Sequence, residues 1–482
     1  MARYNSIICD LGDVLFKWSP PSSHTISPKN LQKIFSSATW FEYEKGGVSQ
    51  QVCYGRLGQE LSLDPADIRK TIDDSCASLK WDRNLASFFQ ELKDTNRESL
   101  RIFAMSNISQ PDYEALRSIS ADMDWSVFDG IFTSFAAGKR KPDLSFYRYT
   151  LSQANLDPSR TIFIDDKLEN VLSARSQGLH GLVYHGFREL KQSLLNLVGN
   201  PVLRGQEYLK ENAGRLTSEC AGLVIQENFA QLLILEMTSD RRLPWLSELI
   251  TIKGDGQLTT TKFPCDLDTT SLGLTVIRAK EEVAASTMDE MLMYVNEDGI
   301  VQTYFDRTRP RIDPVVCVNV LNLFYSYGRG NEMSQTLEWV YQVLLHRAYV
   351  QGSRYYETAE SFLFFLYRFI SGCDNSVIHN RFYPLLRDRV MERIGTEGDG
   401  LALAMRLIVC DFTDVKNKID LQTLRGLQRE DGGWDIGLIY KYGSSGLRIG
   451  NRGLTTVMAI HAIQCSSMAS SSLWNGDESA FQ

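Results

Sequence analysis

Residues 6–16 read Ser-Ile-Ile-Cys-Asp-Leu-Gly-Asp-Val-Leu-Phe: a short apolar run that ends on Asp10, with Gly12 and Asp13 close behind. Such a run predicts a buried strand with a carboxylate at its C-terminal end. The pattern returns at Arg101–Met105, followed by Ser106, and at Thr161–Ile164, followed by Asp165 and Asp166. Helix-like stretches separate the runs. Strands alternating with helices predict a doubly wound α/β domain, whose polar residues gather at the carboxyl edge of a parallel sheet. This domain is expected to span residues 1–200. A mostly helical insertion at about 17–99 forms its cap.

The whole chain has 482 residues, too many for one ordinary domain. Hydrophobic residues make up 43% and charged residues 23%, so there is material for more than one packed core. The net charge of −8 gives no basic footprint for nucleic acid. No uninterrupted apolar stretch is long enough for a membrane span, so stable membrane insertion is not expected. The first residues flow into a strand rather than a cleavable leader. The nine cysteines lack paired or metal-ligand spacing, which makes a reducing, cytoplasmic compartment the expectation. The six histidines are dispersed and form no ligand set. Oligomeric state is not legible.

The polar residues of the first domain make one chemistry. An aspartate at a strand end, Asp10, can attack phosphorus. A hydroxyl, Ser106, and a lysine, Lys141 of Gly-Lys-Arg-Lys-Pro-Asp, can hold phosphoryl oxygens. The acids after the third strand can join Asp10 around Mg2+, which prefers carboxylate oxygens. Four such elements in this order resemble the haloacid dehalogenase-like (HAD-like) phosphohydrolases. The resemblance implies that Asp10 is nucleophile and metal ligand, and that the Gly12 carbonyl, Asp165 and Asp166 complete the metal site. It puts Ser106, Asn107 and Lys141 on the phosphate. Asp165–Glu169 also spells the Asp-Asp-x-x-Glu string of class I terpene synthases, which lies on a helix there. The preceding strand favours the phosphohydrolase reading, with Glu169 kept as a metal-binding candidate.

One position departs from that family. Its first motif is Asp-x-Asp, and the second aspartate protonates the leaving group. Here Gly12 stands in its place, and the Asp13 side chain is expected to point elsewhere. A phosphate monoester leaving group, with a second pKa of about 6, departs without a proton. An alkoxide needs an acid. Removal of the terminal phosphate of a diphosphate is therefore expected to survive better than hydrolysis of a monophosphate.

Beyond residue 205 amphipathic helical patterns dominate, as at Asn228–Met237, Pro314–Tyr327, Met333–Tyr349 and Glu360–Ile370, with Gly- and Asp-rich turns between them. They predict an all-α barrel over 205–465. A Ser-rich tail over 466–482 is expected to be flexible. Lys262–Leu274 contains Asp266-Leu-Asp268-Thr269-Thr270. Alone, that string reads as a helix cap with spare acids. Gln428-Arg-Glu-Asp-Gly432-Gly-Trp434 adds a Gln-x-x-x-Gly-x-Trp repeat, and 296–314 reads as a degenerate second copy. The two motifs together resemble class II terpene cyclases, which start a cascade by protonating an alkene. The resemblance makes Asp268 the acid and Asp266 its orienting partner, with Thr269 and Thr270 at the substrate. Such an acid must stay protonated, which burial and a neighbouring carboxylate favour. Carbocations are stabilised by aromatic faces. Candidates are Phe263, Tyr304, Phe305, Tyr355, Tyr356, Phe362, Phe365, Tyr440 and Tyr442, and Arg311, Arg354, Lys441, Arg448 and Arg452 are available for a diphosphate.

Joined, the two halves resemble the HAD-like class II terpene cyclases of the drimane sesquiterpene type. That resemblance implies cyclisation of farnesyl diphosphate to a drimenyl or albicanyl diphosphate, then Mg2+-dependent dephosphorylation to the alcohol. Gly12 keeps a second reading open, a cyclase that releases the cyclic diphosphate beside a non-catalytic HAD-like domain. In a third, a phosphatase carries the helical half as an interaction module, which the Asp266/Asp268 pair with its repeat disfavours.

Overall fold

The computed structural model describes residues 4–18, 26–96, 100–244, 265–442 and 445–471. The chain divides into two compact units, Met1–Gly199 and Asn200–Gln482. The Phe263 candidate lies outside the described residues, as do residues 472–482 of the expected tail. The last helix, Arg452–Ser471, runs past the point where that tail was expected to begin.

In the first unit, five strands form a parallel sheet: β1 (Ser6–Cys9), β4 (Arg101–Ser106), β5 (Gly130–Thr133), β6 (Thr161–Asp165) and β7 (His180–Val183), in the order β5-β4-β1-β6-β7. A two-residue antiparallel ribbon, β2 (Phe16–Lys17) with β3 (Lys80–Trp81), brackets the insertion. The β1, β4 and β6 strands are buried on both faces, which is why they read as continuous apolar runs. Cys9 pairs with Ala104 on one side and Ile164 on the other, so the residues one step further on converge at the carboxyl edge.

The cap is shorter than 17–99. Helices Pro28–Phe35, Ala38–Glu44, Gln50–Leu61 and Pro65–Ala77 enclose a core of their own around Trp40, Tyr43, Tyr54, Leu57 and Ile68. The next helix, Arg83–Asn96, packs Leu85, Phe88, Phe89 and Leu92 into the sheet's core instead. Their spacing of three, four and seven residues makes one apolar stripe, and the sheet is what covers it.

In the second unit six helices form a closed ring: α1 (Asn228–Thr238), α2 (Leu267–Val276), α3 (Pro314–Ser326), α4 (Ala359–Ser371), α5 (Gly400–Phe412) and α6 (Arg452–Ser471). Each packs on the next, and α6 packs back on α1. The ring helices are buried almost all round, as α3 shows with every residue from Val315 to Phe324 buried. Further helices such as Ser334–Leu345 and Ser376–Met391 lie outside the ring. The unit is not purely helical. Strands β8 (Ser218–Cys220), β9 (Leu223–Ile225), β10 (Gly437–Lys441) and β11 (Arg448–Asn451) make an antiparallel sheet. These strands are three to five residues long, too short for a periodic signal in the sequence. Among the described residues no helix is long and apolar enough to cross a membrane.

Candidate active sites

At the carboxyl edge of the first sheet, Asp10 follows β1 and its backbone N–H donates to Ile164 O at 2.9 Å. Its Oδ1 accepts from Leu11 N at 2.7 Å. Asp165 closes β6, and its Oδ1 accepts from Lys167 N and from Asn170 Nδ2, both at 2.9 Å. Lys141 enters from a loop and places its ammonium 2.9 Å from Asp10 Oδ2 and 2.7 Å from Asp165 Oδ2. Its third donor reaches Met105 O at 2.9 Å. An ammonium has three donors, so all are engaged. Burial pushes the Asp10 carboxyl up to about 7, with Lys141 opposing and Asp165 adding to the rise. Burial and its two carboxylates act in opposite senses on Lys141, and the carboxylates win, raising it.

Asp166 joins this pair: one oxygen from each of Asp10, Asp165 and Asp166 lies within 4.8 Å of the others. Three carboxylates around one ammonium leave excess negative charge, and the all-oxygen donor set suits a hard divalent cation. Glu169 is not in this group. The strand ends at Asp165 and a helix starts at Leu168, which splits the acidic string and leaves Glu169 exposed in the helix's first turn.

A cavity of about 350 Å³ opens over this edge. Asp10, Gly12, Ser106, Asn107 and Lys141 line its floor, while Trp18, Phe35, Trp40, Ile72 and Leu79 supply apolar wall. Asn107 has its side chain committed: its Oδ1 accepts from Lys141 N and its Nδ2 donates to Lys141 O, both at 2.8 Å. These two bonds tie it to the Lys141 backbone and leave one N–H of the amide unused by them. Asp13, an exposed residue, borders the cavity as well. Its φ of +58° turns the chain in a way an extended residue does not. Sequence reasoning missed the Arg140–Glu44 ion pair at 3.1 Å, which joins cap helix to core beside the cavity. Its signal was an arginine next to Lys141.

In the second unit, Asp266 is the N-cap of α2, accepting from Thr269 N at 2.6 Å. Thr270 donates its hydroxyl back to Asp266 O at 2.7 Å, so that hydroxyl serves the helix. The segment is clipped in place by Leu267 N to Thr303 O at 2.8 Å and by a bridge between Asp266 and Tyr304. Asp268 is the second residue of α2, in its first turn, and is buried. Asn319 of α3 donates to its Oδ1 at 2.6 Å, and Tyr356 donates its hydroxyl to Oδ2. Burial, then the neighbouring Asp266, push the Asp268 carboxyl up to about 7. Burial also raises Asp266. The Tyr356 hydroxyl is raised well above its usual value by burial and by Asp268, so it remains a hydroxyl.

Of the aromatic candidates Tyr356 touches this acid, Phe362 stacks instead on Tyr349 at 4.9 Å, and Tyr356, Phe365 and Tyr440 gather on Phe229, which sequence reasoning missed. Phe229, Tyr356 and Phe365 lie with ring centroids 5.8–6.2 Å apart, and Tyr440 stands 5.8 Å from Phe229. Of the basic candidates, Arg448 pairs with Glu357 at 2.6 Å, and Arg452 pairs with Asp431 at 2.8 Å. Arg452 also donates to Trp434 O at 2.9 Å, a structural use. Asn319, Arg368 and Glu236 were missed. Each shares its helix with other polar residues, Asn322 beside Asn319, Glu360 beside Arg368 and Gln231 beside Glu236, so no local signal marked them.

The Gln-x-x-x-Gly-x-Trp turn is a fastener. Gln428 Nε2 donates to Pro201 O and Gly432 O, both at 2.8 Å, and Trp434, wholly buried, donates from Nε1 to Leu424 O at 2.7 Å.

A family described as the sesquiterpene cyclase astC-like C-terminal domain matches residues 202–327. The sesquiterpene phosphatase astK of Aspergillus oryzae is 38% identical over 179 residues, covering 37% of this chain and 89% of that protein. A predicted HAD-like family hydrolase from Porphyromonas gingivalis aligns at 20% identity and a TM-score of 0.31, covering 38% of this chain and 91% of that structure. The drimenol cyclase drtB of Aspergillus calidoustus is 43% identical over 477 residues, 98% of this chain and 90% of that protein. With an acid poised in a helical ring and a carboxylate cluster on a Rossmann-like sheet, the chain belongs to the HAD-like class II terpene cyclase family of which drtB is a member.

Proposed function

We propose that the protein converts farnesyl diphosphate to drimenol in two steps. The helical unit cyclises the substrate to drimenyl diphosphate, and the α/β unit removes the phosphates. The observation that carries the first step is the buried Asp268, held by Asn319 and Tyr356 among aromatic rings. A carboxyl raised to about 7 is substantially protonated near neutrality and can give its proton to a terminal alkene. Phe229, Tyr356 and Phe365 offer π faces to the cations that follow.

In the second step Asp10 attacks the terminal phosphorus, the P–O bond to the drimenyl monophosphate breaks, and water then hydrolyses the aspartyl-phosphate. A second, slower round on the monophosphate, with water protonating the departing alkoxide in place of an acid at Gly12, gives the alcohol. Asp10, Asp165 and Asp166 are the residues to hold Mg2+, which supplies charge neutralisation for the transferred phosphoryl group. Lys141 keeps the carboxylates apart from one another's charge, and Ser106 stands at the phosphoryl oxygens. The apolar wall of Trp18, Phe35 and Trp40 suits a bulky hydrocarbon on the leaving side. A reducing, cytoplasmic setting belongs to this reading. The reading in which the α/β unit is a bystander loses ground to that unit's 38% identity with a phosphatase.

Product analysis tests this reading. Wild-type protein with farnesyl diphosphate and Mg2+ should yield a bicyclic alcohol. Asp268→Ala should yield nothing cyclic, and Asp10→Asn should accumulate the cyclic diphosphate. Cyclic diphosphate from wild type and Asp10→Asn alike would remove the phosphatase half of the proposal.

A further inference from the structure

Behind the acid runs a line of polar side chains drawn from three ring helices. Asp268 Oδ1 is met by Asn319 Nδ2 at 2.6 Å. Asn319 Oδ1 is met by Arg368 Nη1 at 2.9 Å. Arg368 in turn forks onto Glu236, with Nε at 2.8 Å from one carboxylate oxygen and Nη2 at 2.6 Å from the other. Asn319 and Arg368 are buried, while the Glu236 side chain is 30% exposed. The Arg368 guanidinium also lies over the Phe365 ring, 5.4 Å from its centroid.

The direction of every bond in this line is dictated by chemistry. A guanidinium has only donors. The Asn319 atom that faces Arg368 must therefore be the amide oxygen, and the amide NH2 must face Asp268. Arg368 cannot swing away to release the amide, because its other donors are held in a two-point fork by Glu236. An Asp268 oxygen that faces an N–H can only accept, so Oδ1 carries no proton toward Asn319. The partner of Oδ2 among the described residues is the Tyr356 hydroxyl, which can rotate to accept from a carboxylic acid or to donate to a carboxylate.

We infer that Glu236, Arg368 and Asn319 form a positioning chain that confines the acidic proton of Asp268 to Oδ2. The inference rests on the reading of Asp268 as the cyclisation acid. In the transfer the Oδ2–H bond breaks and its electron pair stays on Asp268. The alkene π pair forms the new C–H bond, leaving a tertiary carbocation on the substrate and a carboxylate on the protein. Asn319 and Tyr356 then both donate to that carboxylate. The Asn319 contact therefore strengthens as charge develops, which accelerates the step rather than binding substrate. Asp266 on the same helix, Asp313 at the start of α3 with Cys317 a turn later, and Tyr356 are the other titratable groups that act on or are acted on by Asp268.

The test uses the full chain with farnesyl diphosphate and Mg2+, measuring kcat and KM for cyclised product from pH 5 to 9. Asn319→Leu removes a donor to the carboxylate form. It should lower kcat at least tenfold with KM within twofold, and move the basic limb of the kcat profile to higher pH. Glu236→Gln with Arg368→Met removes both charges together and frees the amide to turn. It should give the same direction in both readouts with Asn319 still in place. Thermal melting tracks folding, since a purely structural role would lower the melting temperature and leave the limb where it is. An unmoved limb in folded Asn319→Leu, or wild-type kcat in the double variant, would overturn the inference. Should Asn319→Leu not fold, the double variant decides alone. A wild type that makes no cyclic product would instead remove the acid assignment itself.

Discussion

Lys141 and Asp165 meet at 2.7 Å with side chains 1% and 0% exposed, and the same ammonium lies 2.9 Å from Asp10. One buried cation thus stands between two strand-end carboxylates. Breaking a buried ion pair by removing one partner costs about 3–5 kcal/mol, because it leaves a charge without compensation. Lys141→Met should destabilise the α/β unit by about that amount and abolish phosphate release. Calorimetric melting and a phosphate assay check both, and an unchanged melting profile would contradict the pairing.

Gly12 bears on which bond the phosphatase site can break. A Cβ built there meets nothing within 4 Å, and the residue opens onto the cavity with Asp10. Gly12→Asp therefore fits without displacing a neighbour. Wild-type protein should release the first phosphate of a prenyl diphosphate faster than it hydrolyses the corresponding monophosphate. Gly12→Asp should speed the second step by on the order of 10²-fold, the lower range for a positioned general acid. Separate rates on diphosphate and monophosphate test this, and equal rates in the wild type would remove the leaving-group argument.

Asp268 sets the pH dependence of cyclisation. Its carboxyl is pushed up to about 7, chiefly by burial and next by Asp266. The acid must be protonated to act, so kcat for cyclisation should hold below pH 7 and fall about tenfold per pH unit well above it. Asp266→Asn removes the like charge that helps raise Asp268, so the fall should begin at lower pH. A basic limb that shifts upward in Asp266→Asn would contradict this sign.

The two acidic centres were legible because their chemistry sits at predictable points of local structure. A buried parallel strand is a short apolar run, and Asp10, Ser106 and Asp165 come at its end. The acid motif opens a helix whose cap is Asp266. The partners were not legible. Asn319, Arg368 and Glu236 come from three helices and share no spacing, so only the ring's closure brings them together. The same limit explains helix Arg83–Asn96, whose apolar stripe resembles those of the cap helices although it faces the sheet. A stripe announces burial without naming what covers it. The Asp165–Glu169 string failed as a unit because a strand-to-helix change falls inside it.

The Gln-x-x-x-Gly-x-Trp turn should be a point of large stability loss, and its residues should differ in kind. Gly432 has φ of +89°, and a Cβ there would lie 2.3 Å from Arg204 O. Gly432→Ala therefore meets both left-handed strain and a backbone clash that a rotamer change cannot relieve. It should open the contact between helix Pro201–Glu211 and the turn. Trp434 is wholly buried and packs in the ring's core cluster. Trp434→Ala should cost about 3–5 kcal/mol through lost burial and the cavity left behind. Gln428→Leu keeps volume but leaves Pro201 O and Gly432 O without its donors, at about 1–3 kcal/mol for each group that stays unsatisfied. Urea unfolding of the three variants orders them, and a Gly432→Ala protein as stable as wild type would show that the turn does not hold the helix as the geometry requires.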